Sequence, residues 1–266
     1  MSARRTPGLR LAFAVLCAGF LPACERERAP LGPHAAFVPV VLDSRIPDRV
    51  PWQTRVEVTN DGPAEGVVRV TRWPPEQRQA ETEDYHVPAG ATRGIPSRVP
   101  FFPSVSSFWL ESETPFRIRA VVRNRKGPPP PPLEVPVLSP ADLAQPGDTL
   151  RLGPFISDEA TRGHFCFTFP GTDLRSLPYR VRTVFTGLDG TLLSRVEFGL
   201  AGVPTLIENP WERFTLPVGQ PFNLQVTFLG SARGRPPRHG LWVYGIVTDR
   251  KTNVSRFLKT SVERAR

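Results

Sequence analysis

Two stretches of this chain, FRIRAVVRNRKG at residues 116–127 and LWVYGIVTDRKT at residues 241–252, read as one β-strand element that occurs twice. Each stretch is rich in apolar residues, continues into Val-x-(Asn/Asp)-Arg-Lys and ends in a predicted turn. In the first stretch Arg117 and Arg119 alternate with Phe116, Ile118 and Ala120, which predicts one basic and one apolar face. The repetition predicts two copies of one β unit.

The sequence around these stretches predicts an all-β protein. Short alternating apolar runs are separated by turns rich in Pro (32 residues) and Gly (21 residues). The strongest hairpin signal is Asp189-Gly190 between alternating runs at 179–185 and 192–198. A second antiparallel hairpin is predicted from 52–59 and 67–73, and residues 213–216 are predicted to form a strand. This pattern favours antiparallel β-sandwiches over a closed barrel.

The repeat also predicts the domain boundaries. The second stretch is followed by a final strand at 254–260, and the matching position in the first copy is 133–138. The prolines at 128–132 therefore belong to the last hairpin loop of the first copy. We predict a signal peptide at 1–23, a tether at 24–35, β-sandwich domains at 36–140 and 149–266, and a linker at 141–148.

The N-terminus has the pattern of an export signal. Arg4 and Arg5 precede an apolar run at 9–23 that is too short to span a bilayer comfortably. The run ends in Leu-Pro-Ala-Cys24, which resembles the lipobox of bacterial lipoproteins, although Pro22 departs from it. The resemblance implies lipidation of Cys24 and a membrane anchor. In the proteins that it resembles, an Asp directly after the lipidated cysteine favours retention in the inner membrane. This chain has Glu25 at that position, which implies an outer-membrane lipoprotein. The alternative is a secreted or periplasmic protein cleaved near Ala23.

The chain is basic, with a formal net charge of +9 that comes almost entirely from arginine. Such a charge favours anionic partners, although it is also typical of ordinary solvated cations. Arg233, Arg235 and Arg238 are candidates for binding an anionic glycan or phosphate, and the alternative is a solvated loop. Interleaved aromatic residues are missing there, so nucleic acid is not expected as a partner.

Residues for catalysis or metal binding do not form a recognisable pattern. Cys166 is expected to be a small, buried, inert residue. No metal-ligand spacing relates the four histidines, His34, His86, His164 and His239. The carboxylates of Asp43, Asp48, Glu81, Glu83 and Asp84 are expected to be solvated charges in loops. The sequence therefore predicts neither an enzyme nor a cofactor site.

Tryptophan offers one further kind of site, a stacking platform for sugars. Because the flanking residues alternate, most of the five indoles are expected in the core instead; they are Trp52, Trp73, Trp109, Trp211 and Trp242.

The closing stretch from Trp242 and the strand WQTRVEVTN at 52–60 resemble exported bacterial proteins with tandem immunoglobulin-like sandwiches. The resemblance implies two tandem antiparallel immunoglobulin-like β-sandwich domains after a signal peptide, and no catalytic residue. The paired cysteines of antibody domains are missing. We therefore expect a non-enzymatic, membrane-anchored envelope protein that acts as a structural or protein-interaction module through strand addition. The alternative is a secreted or surface module that binds carbohydrate or a polyanion.

Overall fold

The structure is a computed structural model that describes residues 31–42, 52–72, 80–97, 105–124, 131–156, 158–170, 178–201, 204–234, 239–252 and 254–265. Leu31–Arg266 form one compact unit. The predicted signal peptide, Cys24 and most of the predicted tether lie outside the described residues.

The protein is all-β, as predicted, with 61% of the described residues in strands and with antiparallel sheets. The first half contains β1 His34–Leu42, β2 Trp52–Asn60, β3 Gly66–Arg72, β4 Glu81–Val87, β5 Thr92–Ile95, β6 Val105–Ser112, β7 Phe116–Asn124 and β8 Leu133–Glu134. The second half contains β9 Thr149–Phe155, β10 Thr161–Thr168, β11 Tyr179–Gly187, β12 Leu192–Leu200, β13 Thr205–Ile207, β14 Phe222–Ser231, β15 Trp242–Asp249, β16 Ser255–Leu258 and β17 Ser261–Glu263.

The two halves have the same topology. The first half forms sheets in the orders β1-β6-β3-β4 and β5-β2-β7-β8, and the second half forms β17-β9-β14-β11-β12 and β13-β10-β15-β16, with β17 as an additional strand. Each strand of the first half thus has a counterpart eight strands later. The two stretches that identify the repeat are β7 and β15, which occupy equivalent positions. The predicted duplication of one β unit is confirmed at the level of strand order.

The end of each copy is also equivalent. After β8 the chain returns to β1 through a bridge between Leu138 and Phe37, and after β16 it returns to β9 as β17. The predicted final hairpins are confirmed, because β7 pairs with β8 and β15 pairs with β16.

The four sheets are arranged in a four-blade, propeller-like ring. Their connections differ from those of a propeller with separate four-stranded blades, because consecutive strands cross repeatedly between two sheets. In the second half the rings of Phe165 and Phe167 in one sheet contact Phe155, Phe185 and Phe198 in the other at centroid distances of 5.5–6.4 Å. These two sheets therefore share a core.

The two central strands of one sheet in the second half, β10 and β15, are buried on both faces. On β10 the inner residues Phe165 and Phe167 are 0% exposed, and so are Cys166 and Thr168 on the opposite face. The buried hydrophobic residues of both halves consequently belong to one continuous cluster.

The predicted linker, residues 141–148, is packed into the protein. A short 3-10 helix, Pro140–Asp142, precedes the buried residues Leu143 and Ala144, and Ala144 bridges to Leu241. Asp148, also buried, accepts hydrogen bonds from the backbone N–H groups of Gln145 and Ala265 at 2.8 Å.

The hairpin predicted from 52–59 and 67–73 is wrong. β2 pairs with β5 and β7, whereas β3 pairs with β4 and β6 in the other sheet. The intervening loop passes between the sheets, and the Asn60 side chain holds it: its Nδ2 donates to the carbonyls of Ala64 and Val87 at 2.8 Å. The predicted hairpin around Asp189-Gly190 is confirmed, since β11 and β12 are joined there.

The strand predicted at 213–216 is also wrong. Asn209 and Pro210 start a short helix, α1 Pro210–Arg213, in which the Asn209 side chain accepts from the Glu212 N–H. An N-cap followed by proline favours a helical turn over a strand. Phe214 and Leu216 are nevertheless buried, as their apolar character requires. Within the described ranges, no helix is long and apolar enough to cross a bilayer.

Candidate functional site: a cleft between two sheet edges

The residues that the sequence singles out are not assembled into one described site. Cys24, Arg235 and Arg238 lie outside the described residues, so the structure places only Arg233 of the three candidate arginines. Arg233 is exposed in the turn after β14, where its backbone N–H donates to Ser231 Oγ at 3.1 Å. The anion-binding set stays a prediction.

The three indoles whose side chains are described are buried, as expected. Trp109, Trp211 and Trp242 are 5%, 4% and 7% exposed. Trp109 packs against the ring of His239 at 4.4 Å between centroids. None of these three has a free face for stacking on a sugar.

Cys166 is buried and forms no disulfide within the described ranges, in agreement with the expectation of a small core residue. Burial raises the pKa of its thiol to about 12, and a hydrogen bond with Tyr244 opposes this only in part. The thiolate is the nucleophilic form of cysteine, so Cys166 is unreactive at neutral pH. Among the described residues, no three His, Cys, Asp or Glu side chains form a group that could hold a metal ion.

The carboxylates predicted as loop charges at 81–84 lie instead on strand β4. Glu83 accepts from the Nη1 of the buried Arg72 at 3.0 Å, and Asp84 accepts from Arg69 Nε at 2.9 Å. Cross-strand pairs of opposite charge stabilise a sheet, which explains why a polar segment forms a strand here. Asp43 and Asp48 lie outside the described residues.

A cleft of about 780 Å³ lies among the described residues. One wall is residues 134–138, which continue from β8, and the other is residues 257–260, at the end of β16. Trp242 and Tyr244 of β15 also line it. The walls are equivalent segments of the two copies, because β8 and β16 are counterparts.

Each wall is the edge of a sheet. In the described structure β8 is the last strand beside β7, and β16 is the last strand beside β15. An edge strand carries backbone N–H and C=O groups without ladder partners.

The hydrogen-bond pattern shows which groups of β16 point outward. The Asp249 N–H donates to the Val254 carbonyl at 2.9 Å, so these residues form a bonded pair. Bonded and non-bonded pairs alternate in an antiparallel ladder, and Ile246 pairs with Phe257 three steps further along. The backbone groups of Phe257 therefore point away from β15, and Lys259 continues the same alternation.

Bonded and non-bonded pairs also alternate along the opposite wall. The Val135 N–H donates to the Ala120 carbonyl at 2.9 Å, so Glu134 directs its backbone groups away from β7. Pro136, two residues on, offers only a carbonyl because proline has no N–H. This wall therefore presents fewer donors than the β16 wall.

Trp242 adds an unpartnered donor beside the cleft. Its indole Nε1 is buried and has no hydrogen-bond partner among the described residues. Leaving a buried donor unsatisfied costs about 1–3 kcal/mol, so an acceptor that reaches this N–H would be favoured.

Charges of both signs line the cleft. Glu134 Oε1 lies 3.7 Å from Arg119 Nη2. Asp142 Oδ2 accepts a hydrogen bond from the Ser139 hydroxyl at 2.7 Å. On the other side Lys259 is exposed and forms no ion pair with any described residue. Lys259 is thus a cation available to a ligand.

Arg264 also lines the cleft and fixes one end of it. Its guanidinium donates to the Leu143 carbonyl at 2.9 Å, to Asp148 Oδ2 at 2.5 Å and to the Ala141 carbonyl. Burial opposes ionisation of Asp148, but hydrogen bonds from Gln145, Ala265 and Arg264 outweigh it and lower the pKa of this carboxyl. The clamp ties the C-terminal residues to the segment between the halves.

Sequence reasoning missed this cleft, although it singled out the strand that contains Trp242 and Tyr244. A signal exists in the repeat itself. Alignment of β7 with β15 sets Arg117 opposite Trp242 and Arg119 opposite Tyr244, so the outer face is charged in one copy and aromatic in the other. Aromatic residues in place of solvated arginines indicate a covered face.

Comparison with protein-family models, with curated proteins and with solved structures gives no match. The resemblance to exported tandem-sandwich proteins therefore stays a prediction from short sequence patterns.

Proposed function

We propose that this protein is a non-enzymatic cell-envelope lipoprotein, anchored through Cys24, that holds a protein partner in the cleft between β8 and β16. The observation that carries the proposal is the cleft itself, whose two walls continue from the edge strands of two sheets. Sheet edges recognise proteins by accepting a further strand. The cleft volume is within the range of about 300–1,000 Å³ usual for ligand sites.

The immunoglobulin-like sandwich architecture is part of this proposal. It is supported by the crossing of consecutive strands between two sheets in each half and by the shared aromatic core of the second half. Binding of sugars by stacking is less well supported, because the described indoles are buried.

Binding of a protein partner in the cleft can be tested by site-specific photocrosslinking in native envelopes. A benzophenone amino acid replaces Val137, which lines the cleft, and in a control it replaces Val218, which is 93% exposed outside the cleft. We expect a discrete protein adduct from position 137 only. No adduct at 137, or the same adducts at both positions, would refute the interaction proposal.

The anchor is tested separately by the intact mass of the mature protein and by membrane fractionation. Lipidation adds the mass of acyl chains to Cys24 and places the protein in the outer-membrane fraction. A soluble product with an unmodified Cys24 thiol would refute the anchor.

A further inference from the structure

The strand β12 forms an open edge of the five-stranded sheet in the second half. Among the described strands, β11 is its only neighbour in that sheet. Phe198 of β12 packs across the core against Phe167 and Phe214, so the facing layer stacks on one face of β12 and leaves its edge open. An open edge of this kind is a template for another strand.

We infer that two copies of this protein associate through β12, which pairs antiparallel with β12 of the other copy about a twofold axis at Val196. Two five-stranded sheets then continue as one. No residue of β12 lines the cleft, so the inference concerns a separate surface and goes beyond the proposed function.

The hydrogen bonds of the β11–β12 hairpin show which residues of β11 bond with β12. The Gly187 N–H donates to the Thr191 carbonyl at 2.8 Å, and bonded positions recur at every second residue of an antiparallel strand. The extra residue of the bulge lies on β12, so the alternation along β11 is uninterrupted. Val184 and Arg182 therefore do not bond with β12.

The outward groups of β12 follow from this alternation. Arg195 lies opposite Val184 and Glu197 lies opposite Arg182, so Arg195 and Glu197 direct their backbone N–H and C=O groups away from β11. In an antiparallel pair with another copy, outward groups must meet outward groups. The twofold axis is thus allowed at residue 195, 196 or 197, and the intermediate registers are excluded.

Charge selects one of these three registers. An axis at Arg195 sets two guanidiniums opposite each other, and an axis at Glu197 sets two carboxylates opposite each other; like charges in these positions destabilise a sheet. An axis at Val196 sets Arg195 opposite Glu197 of the other copy, and the symmetry makes this contact twice. Registers displaced further pair fewer residues of the nine-residue strand.

Both charged side chains are accessible to the other copy. Arg195 is exposed and forms no ion pair within the described ranges. Glu197 is exposed and accepts from Arg182 at 2.6 Å and from Arg180 at 3.4 Å. The hydrogen bond from Arg182 lowers the pKa of Glu197, which keeps it ionised at neutral pH. Because a carboxylate has about four acceptor sites, Glu197 can accept from a further guanidinium.

The inner face of β12 adds an apolar contact. Val196 and Phe198 pack against the core but stay partly exposed. With the axis at Val196, this residue faces its own counterpart and Phe198 faces Ser194 of the other copy. The pairing removes apolar surface from water, which favours association.

The register can be tested by disulfide formation in native envelopes. Val196→Cys sets two thiols directly opposite each other, close enough for a disulfide. The control is Leu192→Cys, because the two copies of this residue would lie about 26 Å apart along the paired strands. We expect a disulfide-linked dimer from position 196 only, with mass spectrometry showing residue 196 linked to residue 196. The unaltered protein controls for Cys24.

Charge reversal tests the same contact at exposed positions. Arg195→Glu and Glu197→Arg each set like charges opposite each other, and each is expected to weaken dimerisation of the full mature chain about tenfold or more. An equimolar mixture of the two variants restores opposite charges in both contacts, so a heterodimer should form with an affinity within about threefold of the unaltered dimer. Arg123→Glu makes the same charge change at an exposed site outside β12 and should leave dimerisation unchanged.

Sedimentation velocity measures these affinities, and circular dichroism shows whether each variant is folded. Because an interface of one strand per copy is small and binds weakly, the protein is examined up to about 100 μM. A monomer at every concentration, no disulfide at position 196, equal disulfide formation at positions 192 and 196, or no heterodimer in the mixture would overturn the inference. Growth beyond a dimer would also overturn it, because that requires contact between two different edges. Binding in the cleft is tested independently by the adduct at position 137.

Discussion

His164 places a titratable ring on β10, a central strand with buried residues on both faces. Its Nδ1 is buried and finds no hydrogen-bond partner in the described part of the chain. Burial, together with the charge of Arg162, lowers the pKa of the imidazole to about 4. The folded protein therefore holds His164 neutral where an unfolded chain would protonate it.

This pKa predicts acid sensitivity in a defined window. The unfolded chain binds a proton at about pH 6.5 and the folded protein only near pH 4, so stability falls as the pH drops between these values. The expected loss is about 2 kcal/mol at pH 5 relative to pH 7.5. Urea unfolding at both pH values measures it.

His164→Gln removes this group, and His86→Gln serves as the control because His86 is exposed. The pH dependence should shrink in His164→Gln and persist in the control. If the free energy of unfolding of His164→Gln depends on pH as strongly as that of the unaltered protein, other groups cause the pH dependence.

Trp242 and Trp211 provide a matched pair for the role of a buried N–H. The Trp211 Nε1 donates to the Gln220 carbonyl at 3.1 Å, whereas no described residue accepts a hydrogen bond from the Trp242 Nε1. Replacement by Phe removes the same atoms in both cases. We expect Trp211→Phe to be more destabilising than Trp242→Phe by about 1–2 kcal/mol, because only it loses a hydrogen bond. Chemical denaturation of both variants tests this, and equal losses would contradict it.

At the scale of elements, the C-terminal residues stabilise the segment between the two halves. Arg264→Ala removes the cation from a carboxylate that is buried. We expect a loss of about 1–3 kcal/mol, since a buried charge loses its partner while its backbone hydrogen bonds remain.

The control for the clamp is Arg151→Ala, which breaks the ion pair between Arg151 and Glu263 on β9 and β17. Both side chains of that pair are substantially exposed, so its loss should cost no more than about 1 kcal/mol. Thermal or urea unfolding compares the variants, and a clamp variant as stable as the control would show that the clamp is dispensable.

In the whole molecule, the two copies have the same strand order, but the outer faces of β7 and β15 lie in different environments. The counterpart of Tyr244 is Arg119 in the alignment of the two stretches. Arg119 is exposed, whereas Tyr244 is 2% exposed and packs against Phe257 at 5.7 Å between ring centroids. The second copy has become apolar on the face that the rest of the protein covers.

Exchanging these residues tests the asymmetry. Tyr244→Arg buries a charge without a partner and is expected to destabilise the protein by about 3 kcal/mol or more. Arg119→Tyr changes an exposed position and should alter stability by about 0.5 kcal/mol or less. Equal effects in urea unfolding would show that the two outer faces are equally exposed.

Several features of the fold follow from the sequence alone, because they depend on local periodicity. Alternation and turn residues predict the strands, Asp189-Gly190 predicts the β11–β12 hairpin, and the repeated stretch predicts both final hairpins. These interactions join residues that are close in the chain, so their signals are local.

Other features are decided only in the tertiary structure. Adjacent alternating strands, such as β2 and β3, carry the same signal whether they pair with each other or enter different sheets. The partners of β2 are β5 and β7, which are distant in sequence. Strand alternation identifies a buried face but does not encode which distant strand lies beside it.

Local patterns of residues were sufficient to predict the all-β class, the internal duplication and the strands from which the candidate site is built. The position of the equivalent edges β8 and β16 at one cleft, and the covered aromatic face of β15, could be seen only in the folded protein. Strand periodicity is a property of neighbouring residues, whereas the cleft is formed by the packing of two copies whose edges are distant in the chain.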